Sequence, residues 1–309
     1  MENNRLLIIV NPHSGKAKMR TELLNVVQIF SNNGYEVTVY PTKARNDAIS
    51  YVSQLPHDKY SMIVVCGGDG TLNEVITGLM RSNNPCKIGY IPSGTLNEWS
   101  SGLNISRNIK QAAQDIIDGE ENLLDIGIFG DKYFSYTASF GAFTSASYSA
   151  PQEVKNVLGQ AAYFFEGIKS LGNIKPVHLR LKADSRVIDG NFLFGAISNS
   201  MSVGGVVKFN NNHVKLNDGL FEVMLVRNPN NIIQFQSIVD GILRQDLNRE
   251  GIEFFRAKEI IITDGPDVDW TLDGEYAPGS ERITVKNLHL ALRLVIPKTS
   301  NIIEKSSDN

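Results

Sequence analysis

Between Tyr60 and Met80 the chain runs YSMIVVCGGDGTLNEVITGLM, a stretch that admits few folds. Met62, Ile63, Val64, Val65 and Cys66 form a short apolar run without polar alternation, the pattern of a parallel strand buried on both faces. It stops at Gly67-Gly68-Asp69-Gly70-Thr71. Beyond the stop, Leu72, Val75, Ile76 and Leu79 fall at helical spacing, with Thr71 placed to cap the new helix. The segment is predicted as strand, glycine turn, helix. Three glycines among four residues admit backbone conformations closed to residues with a Cβ and let a bulky anion approach the main chain. A helix N-terminus behind such a turn presents free N–H groups, which suits a phosphate. One helix end contributes only about 0.3–1 kcal/mol toward an anion, so a triphosphate needs further partners. Asp69 is informative, because a carboxylate inside a phosphate-binding turn is repulsive unless a cation or a sugar hydroxyl stands opposite it. A tight turn with a solvated Asp is the alternative.

The same rhythm surrounds this stretch. Leu6 to Val10 is a first strand, ending in Asn11-Pro12-His13-Ser14-Gly15-Lys16 before a helix whose stripe is Leu23, Leu24, Val27 and Phe30. Glu36 to Tyr40 is a second strand, followed by Pro41-Thr42-Lys43 and a helix from about Asn46 to Leu55. Lys87 to Ile91 runs into Pro92-Ser93-Gly94-Thr95-Leu96-Asn97-Glu98. Strands alternating with helices imply right-handed crossovers and a parallel, Rossmann-like sheet. Its strand ends can face one crevice, where ligands bind in open α/β sheets. His13 and Lys16 can approach phosphate there, or stay solvated.

After about Asp125 the pattern changes. Phe134 to Ala138, His178 to Lys182, Phe192 to Asn199, Leu220 to Val226, Glu259 to Thr263, Asp269 to Leu272 and Arg282 to Ile296 are strand-like, many of them alternating. That is the signature of an antiparallel sandwich or barrel. Two helices interrupt it, from about Gln152 to Leu171 and from Ile232 to Leu247. Lys155, Lys169, Lys175, Arg180, Lys182 and Arg186 form a basic cluster near the first of these, suited either to an anionic membrane surface or to plain solvation. The expected organisation is an α/β N-terminal domain over residues 1–126 and a C-terminal antiparallel β-sandwich domain with helices over 127–297, with the tail 298–309 free to pack back on the first.

Composition narrows the function. With 309 residues and 42% hydrophobic content the chain is an ordinary globular protein, and a net charge of −3 gives no reason to propose a nucleic-acid partner. Cys66 and Cys86 form no metal or redox spacing, so a reduced cytoplasm is the expected home. The apolar run at residues 6–10 is too short for a signal peptide, and no stretch approaches the roughly 18 apolar residues needed to span a bilayer.

Two further segments carry chemistry. Trp270-Thr271-Leu272-Asp273-Gly274-Glu275 ends a strand in two carboxylates. A carboxylate at a rigid strand end can deprotonate an acceptor hydroxyl, whereas an Asp-Gly hairpin with two exposed acids is the competing explanation. Lys215-Leu216-Asn217-Asp218-Gly219-Leu220 mixes acid, amide and backbone carbonyls, a set able to hold a hard cation or to form a structural turn.

Taken together, GGDGTLNEV, NPHSG, SGTLNE and LDGE, in these positions, resemble the soluble bacterial diacylglycerol kinase family, related to sphingosine and ceramide kinases. The resemblance covers essentially the whole chain. It implies that ATP is held by Asn11, Pro12, His13, Ser14, Gly15 and Thr42, by Gly67, Gly68, Asp69, Gly70, Thr71, Leu72 and Asn73, and by Thr95. It implies Glu275 as catalytic base, with Asp273 beside it as a Mg2+ or orienting partner, and a structural Mg2+ loop at Lys215, Asp218 and Leu220. It further implies a lipid substrate presented at a membrane surface, a cytoplasmic protein in peripheral association with that surface, and a homodimer. Asp125 resembles a family aspartate near the domain junction. One departure stands out: the family has GTxND where this chain has Gly94-Thr95-Leu96-Asn97-Glu98. Three alternatives follow: an NAD kinase-like enzyme with a soluble acceptor, a lipid-binding homologue of weak catalysis, and a plain nucleotide-binding module, which leaves the Asp273 and Glu275 pair unexplained.

Overall fold

A computed structural model describes residues 4–14, 18–95, 97–141, 176–200, 202–203, 207–208, 214–265 and 268–298. The expected helix at Gln152 to Leu171, residues Lys155, Lys169 and Lys175 of the basic cluster, and Gly15 and Lys16 of the first turn lie outside these. The described residues divide into two compact units, one of residues up to Ile126 together with 289–298, the other within Gly127–Leu288; the expected packing of the tail from residue 299 lies outside the described residues.

The first unit is an α/β domain. Strands β1 (Arg5–Val10), β2 (Glu36–Pro41), β3 (Met62–Gly67) and β4 (Lys87–Pro92) pair in parallel in the order β2-β1-β3-β4. Register is direct: Ile8 lies opposite Val64, and Val64 opposite Gly89. β3 is buried along its whole length, which is why it carries no polar alternation. Helices α1 (Lys18–Asn32), α2 (Asp47–Ser53), α3 (Asp69–Ser82), α4 (Glu98–Gly102) and α5 (Ile109–Asp118) connect and follow the strands. In α1 the buried face is Met19, Val26 and Phe30, while Leu24 is 78% exposed. Apolar residues there occupy more than one face, and the sheet covers only one. Helix α5 and the strand after it, β5 (Glu120–Phe129), were not legible as separate elements.

The second unit is an antiparallel β-sandwich. It contains β6 (Lys132–Phe134), β7 (Thr137–Gly141), β8 (Val177–Ala183), β9 (Arg186–Ser198), the short pair β10 (Ser202–Val203) and β11 (Val207–Lys208), and β12 (Phe221–Arg227). Helix α6 (Ile232–Arg244) follows, then β13 (Ile252–Ala257), β14 (Glu259–Thr263), β15 (Trp270–Leu272), β16 (Glu275–Ala277) and β17 (Arg282–Ile296). The long strand β9 is central, pairing with β8 along its first half and with β7 and β12 along its second. The core is aromatic: Trp270 packs against Phe129 and Phe140 with ring centroids 5.0 and 4.8 Å away, and Phe134 stacks on Phe221.

β17 serves both units. Its first residues pair with β14, whereas Leu294 pairs in parallel with Ile88 of β4. The segment 289–296, expected with the β-rich half, therefore belongs to the first unit. Asp125 fixes this return. Fully buried, it accepts the Leu290 N–H at 2.8 Å and lies 3.0 Å from His289 Nδ1.

Candidate active site

In the first unit the strand order places the ends of β1 and β3 side by side while their connections leave in opposite directions, and ligands of open α/β sheets bind at such a point. The two turns are tied together. Asn11 N–H donates to the Cys66 carbonyl at 2.9 Å, and Asn11 Nδ2 donates to Thr71 Oγ1 at 3.2 Å. The Ser14 and Ser93 hydroxyls lie 3.2 Å apart, and Ser93 N–H donates to the Gly67 carbonyl at 2.8 Å. Thr42 joins the group through its N–H to the Val10 carbonyl at 2.9 Å. Four strand ends thus converge on one edge of the sheet.

The glycines act by their lack of a side chain. Gly67, Gly68 and Gly70 are absent from the residues with positive φ, contrary to the expectation of unusual backbone conformations. A Cβ at Gly94 would lie 2.5 Å from Gly68 Cα, and one at Gly67 only 2.6 Å from Thr71 Cβ. Two turns can touch backbone to backbone only because neither carries a Cβ. The helix also starts earlier than expected. Its N-cap is Gly68, with no side-chain cap, so Thr71 does not cap α3 and instead receives Asn11. Extended backbone at Gly68 lets the helix begin at Asp69.

Asp69 is the electrostatic centre. Its Oδ2 accepts the Glu98 N–H at 3.1 Å, while Oδ1 is buried with no hydrogen-bond partner among the described residues. Burial raises the Asp69 pKa, opposed by N–H groups at the start of α4 and by the Arg107 charge. An orphaned carboxylate oxygen of this kind fits a hard cation such as Mg2+. The third turn is locked by Asn97, which sequence reasoning did not single out. Its Oδ1 accepts the Gly94 N–H at 3.0 Å, its Nδ2 donates to the Gly94 carbonyl at 2.9 Å, and it holds a left-handed φ of 50°. The signal was an Asn three residues after a turn glycine, a residue type that tolerates αL.

The remaining residues of the expected nucleotide set differ in aspect. His13 and Thr95 are exposed, and the Pro12 carbonyl accepts Arg20 Nε at 2.9 Å. The Leu72 side chain is turned into the core and its N–H donates to the Gly68 carbonyl, whereas Asn73 is half-buried.

In the second unit LDGE is a two-residue hairpin. Leu272 pairs with Glu275 across Asp273 at φ 49° and Gly274 at φ 85°, the geometry that favours Asp-Gly. Its two acids differ sharply. Glu275 is exposed, whereas Asp273 is 6% exposed and accepts the N–H groups of Ser135 at 2.5 Å and of Tyr136 and Thr137 at 3.0 Å. Asp273 is thus a strut that bolts the hairpin to the segment before β7. In the expected metal loop Gly219 takes a φ of 78°, Asp218 Oδ1 accepts the Leu220 N–H at 3.0 Å, and Lys215 is half-buried. One carboxylate and two carbonyls fit Mg2+ by type, but Asp218 Oδ2 already pairs with Arg256 at 3.0 Å. No cluster of three or more His, Cys, Asp or Glu residues able to hold a metal occurs among the described residues. Both cysteines are buried, and burial pushes the Cys86 thiol up to about 11, so neither is reactive.

Residues 5–129 match the diacylglycerol kinase catalytic domain, and residues 138–296 match the YegS C-terminal NAD kinase beta sandwich-like domain. The chain is 31% identical over 299 residues to the diacylglycerol kinase of Bacillus subtilis (strain 168), spanning 95% of this chain and 97% of the relative. The chain belongs to the diacylglycerol kinase family. It is 33% identical over 273 residues to the Staphylococcus aureus (strain MRSA252) diacylglycerol kinase, covering 88% of this chain and 86% of that one. A solved chain from Bacillus anthracis str. Sterne shares the fold at a TM-score of 0.80 and 24% identity, over 97% of each chain. Membership of this lipid kinase family makes the protein a phosphotransferase that uses ATP. Among the described residues no helix is long and apolar enough to cross a membrane.

Proposed function

We propose that the protein transfers the γ-phosphoryl group of ATP to the hydroxyl of diacylglycerol, giving phosphatidic acid and ADP. The observation that carries this reading is the convergence of Asn11, Thr42, the Gly67–Asp69 turn and Ser93 on one sheet edge, with the Asp69 Oδ1 oxygen left for a cation. Relatives named diacylglycerol kinase over nearly the whole chain support the choice of acceptor.

In the proposed reaction the turns of the first unit hold the triphosphate through backbone N–H groups at the start of α3. Glu275 of the second unit accepts the lipid hydroxyl proton as that oxygen bonds to the γ-phosphorus and the bond to the ADP oxygen breaks. Asp273 keeps the hairpin rigid, so Glu275 does not have to be ordered at the moment of reaction. Asp69, through its orphaned Oδ1, would hold Mg2+, which would offset the charge on the phosphates. The acceptor lies in a membrane surface, with which the protein associates peripherally.

The deciding experiment is phosphate transfer from labelled ATP with Mg2+ to diacylglycerol, monoacylglycerol, sphingosine and NAD offered in parallel, with the lipids in detergent micelles. Labelled phosphatidic acid is the expected product. Label on NAD alone would reassign the chain to soluble-acceptor kinases, consistent with the NAD kinase-like description of its second domain. Lipid binding without turnover would favour a regulatory homologue.

A further inference from the structure

The segment linking β2 to α2, residues 42–46, leads from a sheet edge that the proposed nucleotide would occupy, and its position is imposed from outside. At its start Thr42 bonds the Val10 carbonyl through its N–H, with its Oγ1 3.4 Å from the same oxygen. At its end Asn46 is the N-cap of α2 at φ 65°, yet its own side chain makes no cap bond. The cap comes from another helix. Glu74 Oε1 accepts the Asn46 N–H at 2.8 Å, and Glu74 Oε2 accepts the Ala48 N–H at 3.2 Å. A bidentate carboxylate on two backbone donors is a strong, directional clamp.

Glu74 stands five residues after Asp69 on α3, the helix that opens from the glycine turn. Further along, a Cβ at Gly78 would lie 2.7 Å from Val52 Cβ, so α2 crosses α3 at close range. Two features of the nucleotide edge, the glycine turn and the 42–46 segment, are thereby referred to one rigid element. Asp47 reinforces the segment from within, accepting the Lys43 N–H at 2.8 Å and the Tyr40 hydroxyl at 3.1 Å.

We propose that Glu74 is a positioning residue for the nucleotide: its carboxylate pre-orders residues 42–46 against α3, so that ATP does not bear the cost of ordering them. The inference rests on the ATP-binding reading above. Without the clamp, the segment samples conformations away from the edge, and apparent affinity falls by the fraction of time it is displaced.

The test is equilibrium binding of trinitrophenyl-ATP to the full chain, with steady-state kinetics alongside. Glu74→Ala is expected to weaken nucleotide binding and raise the KM for ATP by about 5- to 30-fold, as for loss of one or two charge-assisted hydrogen bonds. The KM for lipid should not change and kcat should stay within about threefold. Glu74→Gln, which keeps the shape and one acceptor, should recover part of the affinity. Val52→Ala serves as the control, since it loosens the packing of α2 on α3 without touching Glu74. It should lower Tm and leave nucleotide affinity unchanged. Wild-type affinity in Glu74→Ala, or an equal loss in Val52→Ala, would overturn the proposal. The binding arm needs no acceptor. A wild type that binds nucleotide but phosphorylates no lipid would therefore overturn the lipid-kinase reading alone, and Glu74 would still be decided by its affinity.

Discussion

Asp69 and Glu98 meet through the main chain: the Glu98 N–H donates to Asp69 Oδ2 at 3.1 Å. The family usually carries Asp where this chain has Glu98, and any residue but proline at that position supplies the same N–H. The substitution therefore leaves the hold on Asp69 intact. Glu98→Asp is expected to change turnover by less than about threefold, a difference under ~0.7 kcal/mol in the barrier. A gain of about 10²-fold in a lipid phosphorylation assay would show instead that the longer side chain impairs this protein.

Asp69 itself is expected to trade stability for function. Burial raises its folded pKa above the 3.8 of the unfolded chain. As pH rises from that value through the folded pKa, the folded protein keeps a proton that the unfolded chain has released, so stability falls with pH across this window. Asp69→Asn removes that loss while retaining an acceptor for the Glu98 N–H. Thermal unfolding should show the variant more stable than wild type at pH 7, with the gap closing toward pH 3. Turnover should fall by about 10²-fold or more through loss of charge opposite the cation. A variant less stable than wild type at pH 7 would refute the account of the orphaned oxygen.

The two acids of the LDGE hairpin should separate cleanly. Glu275→Gln is expected to lower turnover by about 10²–10⁴-fold, as for a lost general base, with Tm nearly unchanged because the side chain is exposed. Asp273→Ala strands three backbone N–H groups that are now satisfied, at about 1–3 kcal/mol for each one left buried. Denaturant unfolding should show this variant destabilised by several kcal/mol, and activity should fall as a consequence. Near-normal turnover in Glu275→Gln would remove it from its role.

At the 215–220 loop a guanidinium competes with any cation for Asp218. The Arg256 side chain is 46% exposed although Asp218 is only 14% exposed, so solvent still screens the contact and it is expected to add about 1 kcal/mol to stability. Its effect should show in metal response instead. Adding Mg2+ at constant ionic strength should raise the Tm of Arg256→Ala more than that of wild type. Equal responses would mean that the carboxylate can serve both partners at once.

Much of this protein follows from local chemistry in the chain. The unbroken apolar run of Met62–Cys66 demanded a doubly covered parallel strand. Alternation in 178–182 and 259–263 demanded a half-buried antiparallel sheet, and Asp273-Gly274 a two-residue turn. These features depend on backbone period and turn preference, which neighbouring residues set among themselves. Tertiary structure alone decided the rest. Nothing local distinguishes Asp273 from Glu275, yet one is buried on three N–H groups from residues 135–137 and the other is exposed. Gly94 gives no sign in sequence that it must clear Gly68, nor Glu74 that it caps a helix other than its own. The last strand looked like part of the β-rich half until Leu294 paired with Ile88 and Asp125 caught Leu290. In each case the partner lies tens or hundreds of residues away. Periodicity carries no information about distant partners, and it is packing that brings them within hydrogen-bonding or van der Waals range.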